Sequence, residues 1–596
     1  MRTLTVAAAA LSWMAATLCF VTPASANGEM CTEPQELDKY RLLRRISLDL
    51  RQQLPSYEEY GLLEGEEEVP EWLLDQWIGL DGGDAEYADA FRLSMRGFHS
   101  DLLFPNVIGI QLNGVSVFLR NFEVGEKNSQ AGTADVWDVN STSRRNKWRG
   151  SNQGPHCGNW PQSELGYELE GEQVPVTKVV EDAIGNDYDQ EGWVEVSPYW
   201  APDTTIKVCA FAAMNNAEGE TGKSCESPYA ILQRFCGCGS DLRWCYGERS
   251  KVEQRIWQSM SEQAGRLFDA VSVGGRPYTD LVLTSRVWTN GALDFWNKHL
   301  APLMSVQRTA DLAGPGDAPL PDVPSFVDDT WVERERGWPH GGVQTLAAYT
   351  LRFNTNRARA NRFRIVFTNQ YFIPPAASTT EVCDDEAPSE GCCTPDAEDL
   401  TERCVCQDCH QVVEPLAAYW AYHAESGSGL LTDAEGWFPE YNDLCDPTTG
   451  TPPANQQARG FCARFYVTEE GDEVIRPGWL RPLQYADATS DNPIHVNIAA
   501  HAQVGPGTGL NAGDGQQLEE RGYAQSIVET GIWHQATVRN LWRHLMGRDM
   551  NLGLDVTEPY NELELLADLS ADLEAHNSLP QLVKTLVTLD TYRRVR

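Results

Sequence analysis

Positive charge is the scarcest property of this chain: 47 Lys and Arg stand against 86 Asp and Glu in 596 residues, a formal charge of -39. A surface of that sign repels nucleic acid and anionic lipid headgroups, which excludes both as partners and leaves neutral or basic proteins. Long apolar runs are also missing beyond the first 26 residues, so no transmembrane segment is expected in the mature chain. No glycine-rich phosphate loop is present either. The run from Gly505 to Gly515 lacks the lysine and the strand-to-helix setting that phosphate binding needs. No repeat of fixed period marks a solenoid.

What is present begins with a leader. Arg2 supplies a positive start, an apolar stretch runs from Leu4 to Val21, and Ala24-Ser25-Ala26 offers small residues for cleavage. Residues 1–26 therefore read as a signal peptide, with the mature protein starting at Asn27 in the periplasm or outside the cell. Cys31 lies several positions past the small residues, too far for lipid attachment at the cleavage point. Sixteen cysteines suit an oxidising compartment, where disulfides persist.

The chain is too long for one ordinary core and is expected to be mainly α and multi-unit. Region 27–106 reads as an amphipathic helical region, with Leu42, Ile46 and Leu50 and then Trp72, Leu73 and Trp77 at helix spacing. Region 107–250 reads as an irregular, disulfide-rich insert, with short strands at Trp193 to Trp200 and Thr205 to Ala212. Within it, Cys236-Gly-Cys238 with Cys245 suits disulfides better than a metal knot in an exported protein. Helical periodicity returns over 251–375, from Lys251 to Leu303 and from Val343 to Phe367, interrupted by a Pro-rich linker from Ala313 to Pro324. Region 376–470 is dense in cysteine. Region 471–596 carries the Gly-rich loop and C-terminal helices, and a hairpin spans Ala463 to Gly478 at its start.

One constellation carries chemistry. Cys406-Gln407-Asp408-Cys409-His410 spells C-x-x-C-H, the attachment pattern of a covalent c-type haem. Two thiols at this spacing reach two vinyl groups, and the adjacent imidazole meets the iron as its proximal ligand. Composition alone gives roughly 0.008 chance occurrences of the pattern, although local crowding of cysteines weakens that figure. The rival set is Cys404, Cys406 and Cys409 with one of Cys383, Cys392 or Cys393, binding zinc or forming disulfides. Glu414 and Pro415 open a helix after the motif, and Leu416 to His423 supply a wall beside a ring. With Cys19 removed in the leader and two thiols given to haem, an odd number of cysteines remains.

The segment CQDCHQVVEPL, Cys406 to Leu416, resembles the haem signature of the planctomycete-type and myxobacterial cytochrome c proteins, whose neighbouring domains are of unknown function. Three further stretches resemble the same family in order: Arg41 to Tyr57, Asn354 to Pro375 before the haem motif, and Val538 to Arg548 near the end. The resemblance implies an exported haem protein and no particular reaction. The chain departs from it at His534, where relatives often carry cysteine, and in the long insert from Val107 to Cys245.

The sixth iron position decides between carrier and catalyst, since a second strong ligand blocks substrate. On a helix from Trp533 to Met546, His534 aligns with Val538, Leu541 and Leu545 and points inward, and Met546 sits at the rim of the apolar stripe. Both are candidate sixth ligands, with ordinary packing as the alternative for each. His544 falls on the solvated side, Met550 lies beyond Gly547, and His423, His495 and His501 are weaker candidates. The expectation is an exported single-haem cytochrome that transfers single electrons. The alternatives are a haem-dependent, peroxidase-like oxidoreductase with an open distal site, and an extracellular disulfide-stabilised binding or scaffold protein.

Overall fold

The computed structural model describes residues 35–80, 85–112, 118–122, 136–139, 157, 162, 165–169, 172–181, 185, 187–222, 224–226, 233–247, 249–303, 325–336, 340–371, 413, 416, 418–420, 466–468, 475–477, 520–553 and 561–595. Among these the chain is mainly helical, with a few short strands and three disulfides.

The N-terminal region folds as helices α1 (Lys39–Arg51), α2 (Tyr57–Gly61), α3 (Glu71–Ile78) and α4 (Ala85–Leu103). Asp38 caps α1 by accepting from the N–H groups of Tyr40 and Arg41, and Leu42, Leu43, Ile46 and Leu50 form its buried face. Helix α2 opens with a reciprocal Ser56 and Glu59 capping box. Glu59 does more than cap. It accepts from both guanidinium arms of buried Arg51, at 2.6 and 3.0 Å, and from the indole of Trp77 at 2.9 Å. Burial alone would raise the Glu59 carboxyl, but these donors outweigh it and hold the group below its ordinary range. The Arg51 head also lies 3.5 Å from the Trp77 ring centre, so one arginine joins three helices.

The long helix α5 (Arg249–Ser272) crosses α4, where Arg96 reaches Asp269 and Glu262 and Arg92 reaches Asp269. It is followed by α6 (Asp280–Leu283) and α7 (Gly291–Phe295). Helices α8 (Ala347–Arg352) and α9 (Asn356–Phe367) lead toward the cysteine-dense region. The C-terminal part comprises α10 (Glu520–Glu529), α11 (Ile532–Met546), α12 (Leu563–His576), α13 (Leu579–Thr588) and α14 (Asp590–Arg593).

Both ends of the chain share one apolar core. Leu43, Ile46, Trp77 and Phe91 belong to the same buried cluster as Trp533, Trp542, Leu586 and Tyr592. Strand β1 (Gln35–Glu36) pairs antiparallel with the terminal strand Arg594–Val595, and Lys584 on α13 reaches Asp75 on α3 at 2.8 Å. Each large apolar side chain so buried contributes about 1.5–3 kcal/mol, which is why the two ends stay together.

The insert holds more order than loops. Strands β2 (Leu119–Phe122), β3 (Val136–Val139), β8 (Trp193–Val196) and β9 (Ile206–Cys209) form a sheet in the order β2-β3-β9-β8, with β3 and β9 parallel and the other pairs antiparallel. Beside it lie two antiparallel pairs, β4 (Leu165–Leu169) with β5 (Glu172–Pro175), and β6 (Lys178–Glu181) with β7 (Asp187–Gln190). Disulfides Cys157–Cys209, Cys225–Cys236 and Cys238–Cys245 staple this region. The Cys236-Gly-Cys238 group is thus shared between two disulfides, and Gly237 packs so closely on the Met214 backbone that no Cβ fits. The sheet went unforeseen at β2 and β3 because β2 meets β3 across a connection longer than a hairpin turn and β3 pairs with the distant β9.

A similar difference falls in 251–375. Strand β10 (Arg286–Thr289) interrupts the expected helix and pairs antiparallel with β11 (Val332–Glu335), on the far side of the Pro-rich linker. Alternation explains it: Arg286 is exposed, whereas Val287 and Thr289 are buried. The expected hairpin is present as β12 (Tyr466–Thr468) with β13 (Ile475–Pro477).

Helix α4 also carries a buried histidine. The Met95 carbonyl can only accept, so His99 Nδ1–H donates to it at 2.7 Å, leaving Nε2 bare to accept the Tyr278 hydroxyl at 3.0 Å. Burial, only partly opposed by the Met95 bond and Asp269, pulls the His99 pKa down to about 4. An unfolded histidine protonates near 6.5, so the stability tied to neutral His99 is complete above that pH and is lost as pH falls toward 4. At about 1.4 kcal/mol per pK unit, the full loss is on the order of 3 kcal/mol. In urea titrations across this window, the wild-type midpoint is expected to fall more steeply than that of His99→Gln, which does not titrate. Equal slopes would contradict the assignment.

Candidate functional site

Cys406, Cys409 and His410 lie outside the described residues, as do His423, His495 and His501 and the ten cysteines not in the three disulfides. The structure describes what flanks them. Before the motif stands α9, capped by the Thr355 hydroxyl, which accepts from the Ala358 N–H. After it, Val413 and Leu416 are half-buried and helical, and a short 3-10 turn covers Ala418–Trp420.

That turn is held between α9 and α10. Trp420 is fully buried, with its ring edge-on to Phe363 of α9 at 5.5 Å between centres. Tyr419 stacks on Tyr523 of α10 at 4.6 Å, and Phe363 closes the cluster at 5.2 Å from Tyr523. Burial drives the Tyr523 hydroxyl up to about 12, so it stays protonated.

Helix α11 is fixed against the end of α9 by a polar clasp. Asn540 donates to the Val366 carbonyl at 2.7 Å and accepts from Asn369 at 2.9 Å, while Arg543 adds a longer contact to the Asn540 oxygen at 3.2 Å. Asn369 adopts a positive φ of 54°, a conformation asparagine tolerates better than most residues.

The two candidate sixth ligands sit on this helix in different surroundings. His534 is buried near the start of α11, edge-on to Trp533 at 5.1 Å. Burial lowers its pKa against the pull of Glu574 on α12, which favours the neutral imidazole, the form that coordinates iron. Its Nδ1 has no hydrogen-bond partner among the described residues, unlike His99, whose two ring nitrogens are both engaged. Met546 ends the helix half-buried and lines a surface cleft beside α1. Twelve residues of α-helix put it about 18 Å farther along the axis and about 120° around from His534, so the two cannot serve the same side of one iron. His544 is exposed, and Met550 lies past the Gly547 cap, which is left-handed at φ 67°.

Other buried nitrogens that lack a partner among the described residues are Nε1 of Trp420, Trp533 and Trp542, and Nε of Arg364. Among the described residues no group of three or more His, Cys, Asp or Glu is placed to hold a metal ion. The donor set nonetheless suits a haem chemically: the motif supplies thiols and an imidazole in one stretch, and α11 supplies a second, neutral imidazole with an uncommitted ring nitrogen. No helix described is long and apolar enough to cross a membrane.

Sequence reasoning did not single out His99 or Trp420. His99 lies four residues after Met95 and eight after Phe91, a stripe that would have revealed it as a core histidine. No known family model, curated protein or solved structure matches the chain.

Truncating Trp420 removes a large side chain that links the segment after the motif to α9. Trp420→Ala is expected to lower the unfolding free energy by about 3–5 kcal/mol in urea denaturation. A change within experimental scatter would show that this segment does not pack as described.

Proposed function

We propose that the chain is an exported c-type cytochrome that carries one covalent haem and transfers single electrons. The observation that carries this reading is the stretch Cys406-Gln-Asp-Cys-His410. The disulfides of the insert support it, because they belong to the oxidising compartments where haem c proteins reside.

Cys406 and Cys409 are the anchors. They would hold a haem through thioether bonds to its vinyl groups, which would keep the cofactor from leaching away outside the cell. His410 would ligate the iron, and a bound haem would supply a centre that gains and loses one electron. Leu416, Tyr419 and Trp420 fasten the segment to the core and shut water out on that side. Of the two candidate sixth ligands, His534 is favoured by its burial and its uncommitted ring nitrogen, whereas Met546 opens onto an arginine-lined cleft. The charge of -39 steers a basic or neutral redox protein toward the surface, at a rate that falls as salt rises.

The test is expression with haem maturation machinery, followed by a denaturing gel stained for haem. The wild type is expected to stain, and Cys406→Ser with Cys409→Ser to lose the stain. A resting protein refractory to carbon monoxide and cyanide supports electron transfer, with His534→Ala opening the iron to both. Fast binding by the wild type would overturn the carrier in favour of a haem oxidoreductase. A colourless wild type would leave a disulfide-stabilised extracellular binding protein.

A further inference from the structure

The cleft that Met546 lines has a composition foreign to the rest of the molecule. It measures about 570 Å³ and is lined by Arg41, Arg44, Arg45, Arg548 and Arg594 against a single carboxylate, Asp49. The chain as a whole carries 86 acidic residues to 47 basic ones, so five arginines to one acid reverses the local sign. Asp49 is itself occupied, accepting from the Tyr592 hydroxyl at 2.7 Å and lying 3.7 Å from Arg45.

The arginines divide into two kinds. Arg45 and Arg548 are fixed. Arg45 donates to the Tyr592 carbonyl at 2.7 Å and lies 4.2 Å from the Tyr592 ring centre. Arg548 grips Glu562 with both arms, at 2.8 and 2.5 Å, and lies 5.1 Å from the Trp542 ring centre. The other three are open heads. Arg44 is exposed and has no ion pair among the described residues. Arg41 is 74% exposed with Asp38 only at 3.9 Å, and Arg594 is 50% exposed with Asp590 at 3.4 Å. Exposed pairs at such distances hold little energy, so a ligand anion displaces them readily.

Leu37, Leu48 and Met546 add an apolar part to the lining. The walls come from opposite ends of the chain, α1 on one side and the α11 terminus and final strand on the other, and the shared core holds them in place. Planar guanidinium forks match the oxygens of phosphate and carboxylate groups, and a cleft of this volume holds a small molecule.

We propose that this cleft binds a small soluble oxyanion bearing two or more negative charges, a polyphosphate or a polycarboxylate. The site stands on residues remote from the haem motif in sequence and does not rest on the electron-transfer reading.

Calorimetric titration of the full-length protein with inorganic pyrophosphate, and separately with citrate, tests it. The titrations are run at low salt and at about 0.15 M ionic strength, where charges are screened over about 8 Å. One saturable site is expected for at least one probe, its affinity falling with salt. Arg41→Gln with Arg44→Gln should weaken it by about tenfold or more. Arg286→Gln, an exposed arginine elsewhere that faces Glu335, should leave it unchanged. Preference for one probe assigns the ligand to that class, and equal affinity assigns recognition to charge alone. Absence of saturable binding with both probes overturns the proposal, as does wild-type affinity in the double variant or an equal loss in Arg286→Gln.

Discussion

Burial of apolar side chains from both ends of the chain in a single core is the constraint on which the rest depends. Trp77 comes from the third helix, Trp533 and Trp542 from the eleventh, and all three are fully shielded from water. Their shared cluster fixes α11 relative to α1 and α3, and with it the positions of His534, Met546 and the arginine cleft. Polar clasps give the core its register rather than its strength. Arg51 with Glu59 and Trp77, and Asn540 with Asn369 and the Val366 carbonyl, each satisfy buried donors that would otherwise cost stability.

The insert is built on a different principle. Its own cluster contains Cys157, Cys209, Cys238 and Cys245 among Val136, Val139 and Val208, so disulfides stand inside the apolar interior of a small sheet. A four-stranded sheet with strands of four residues buries little surface by itself. Covalent links that limit the unfolded chain offset that shortfall, the Cys157–Cys209 bridge across a separation of 52 residues more than the two short ones.

Local signals were legible in the sequence where the physics is local. Helix α11 lies where periodicity put it because Gly531 and Gly547 bracket it, and buried His534 follows from its alignment with Val538 and Leu541. Strands β8 and β9 were readable from composition and turn signals, and the hairpin at 466–477 from its turn residues. Strands β10 and β11 were not, because each finds its partner across the Pro-rich linker and neither has a hairpin turn to announce it. The arginine cleft was equally hidden, since Arg594 meets Arg41 only after the whole chain has folded. The C-x-x-C-H stretch is the opposite case: the haem proposed there rests on covalent spacing alone and on no feature of the fold.

The described residues that follow the motif in sequence include a turn pinned by Trp420, a helix clasped through Asn540, and a buried histidine whose Nδ1 has no hydrogen-bond partner among the described residues. Under the proposed haem reading, these would give the cofactor a fixed segment, a wall and a second imidazole. The most direct measurement is mass spectrometry of proteolytic peptides from the matured protein. The account predicts one peptide, containing Cys406, Cys409 and His410, that carries a tetrapyrrole on both sulfurs. Recovery of that peptide with free thiols, or with its sulfurs bonded to other cysteines, would contradict it.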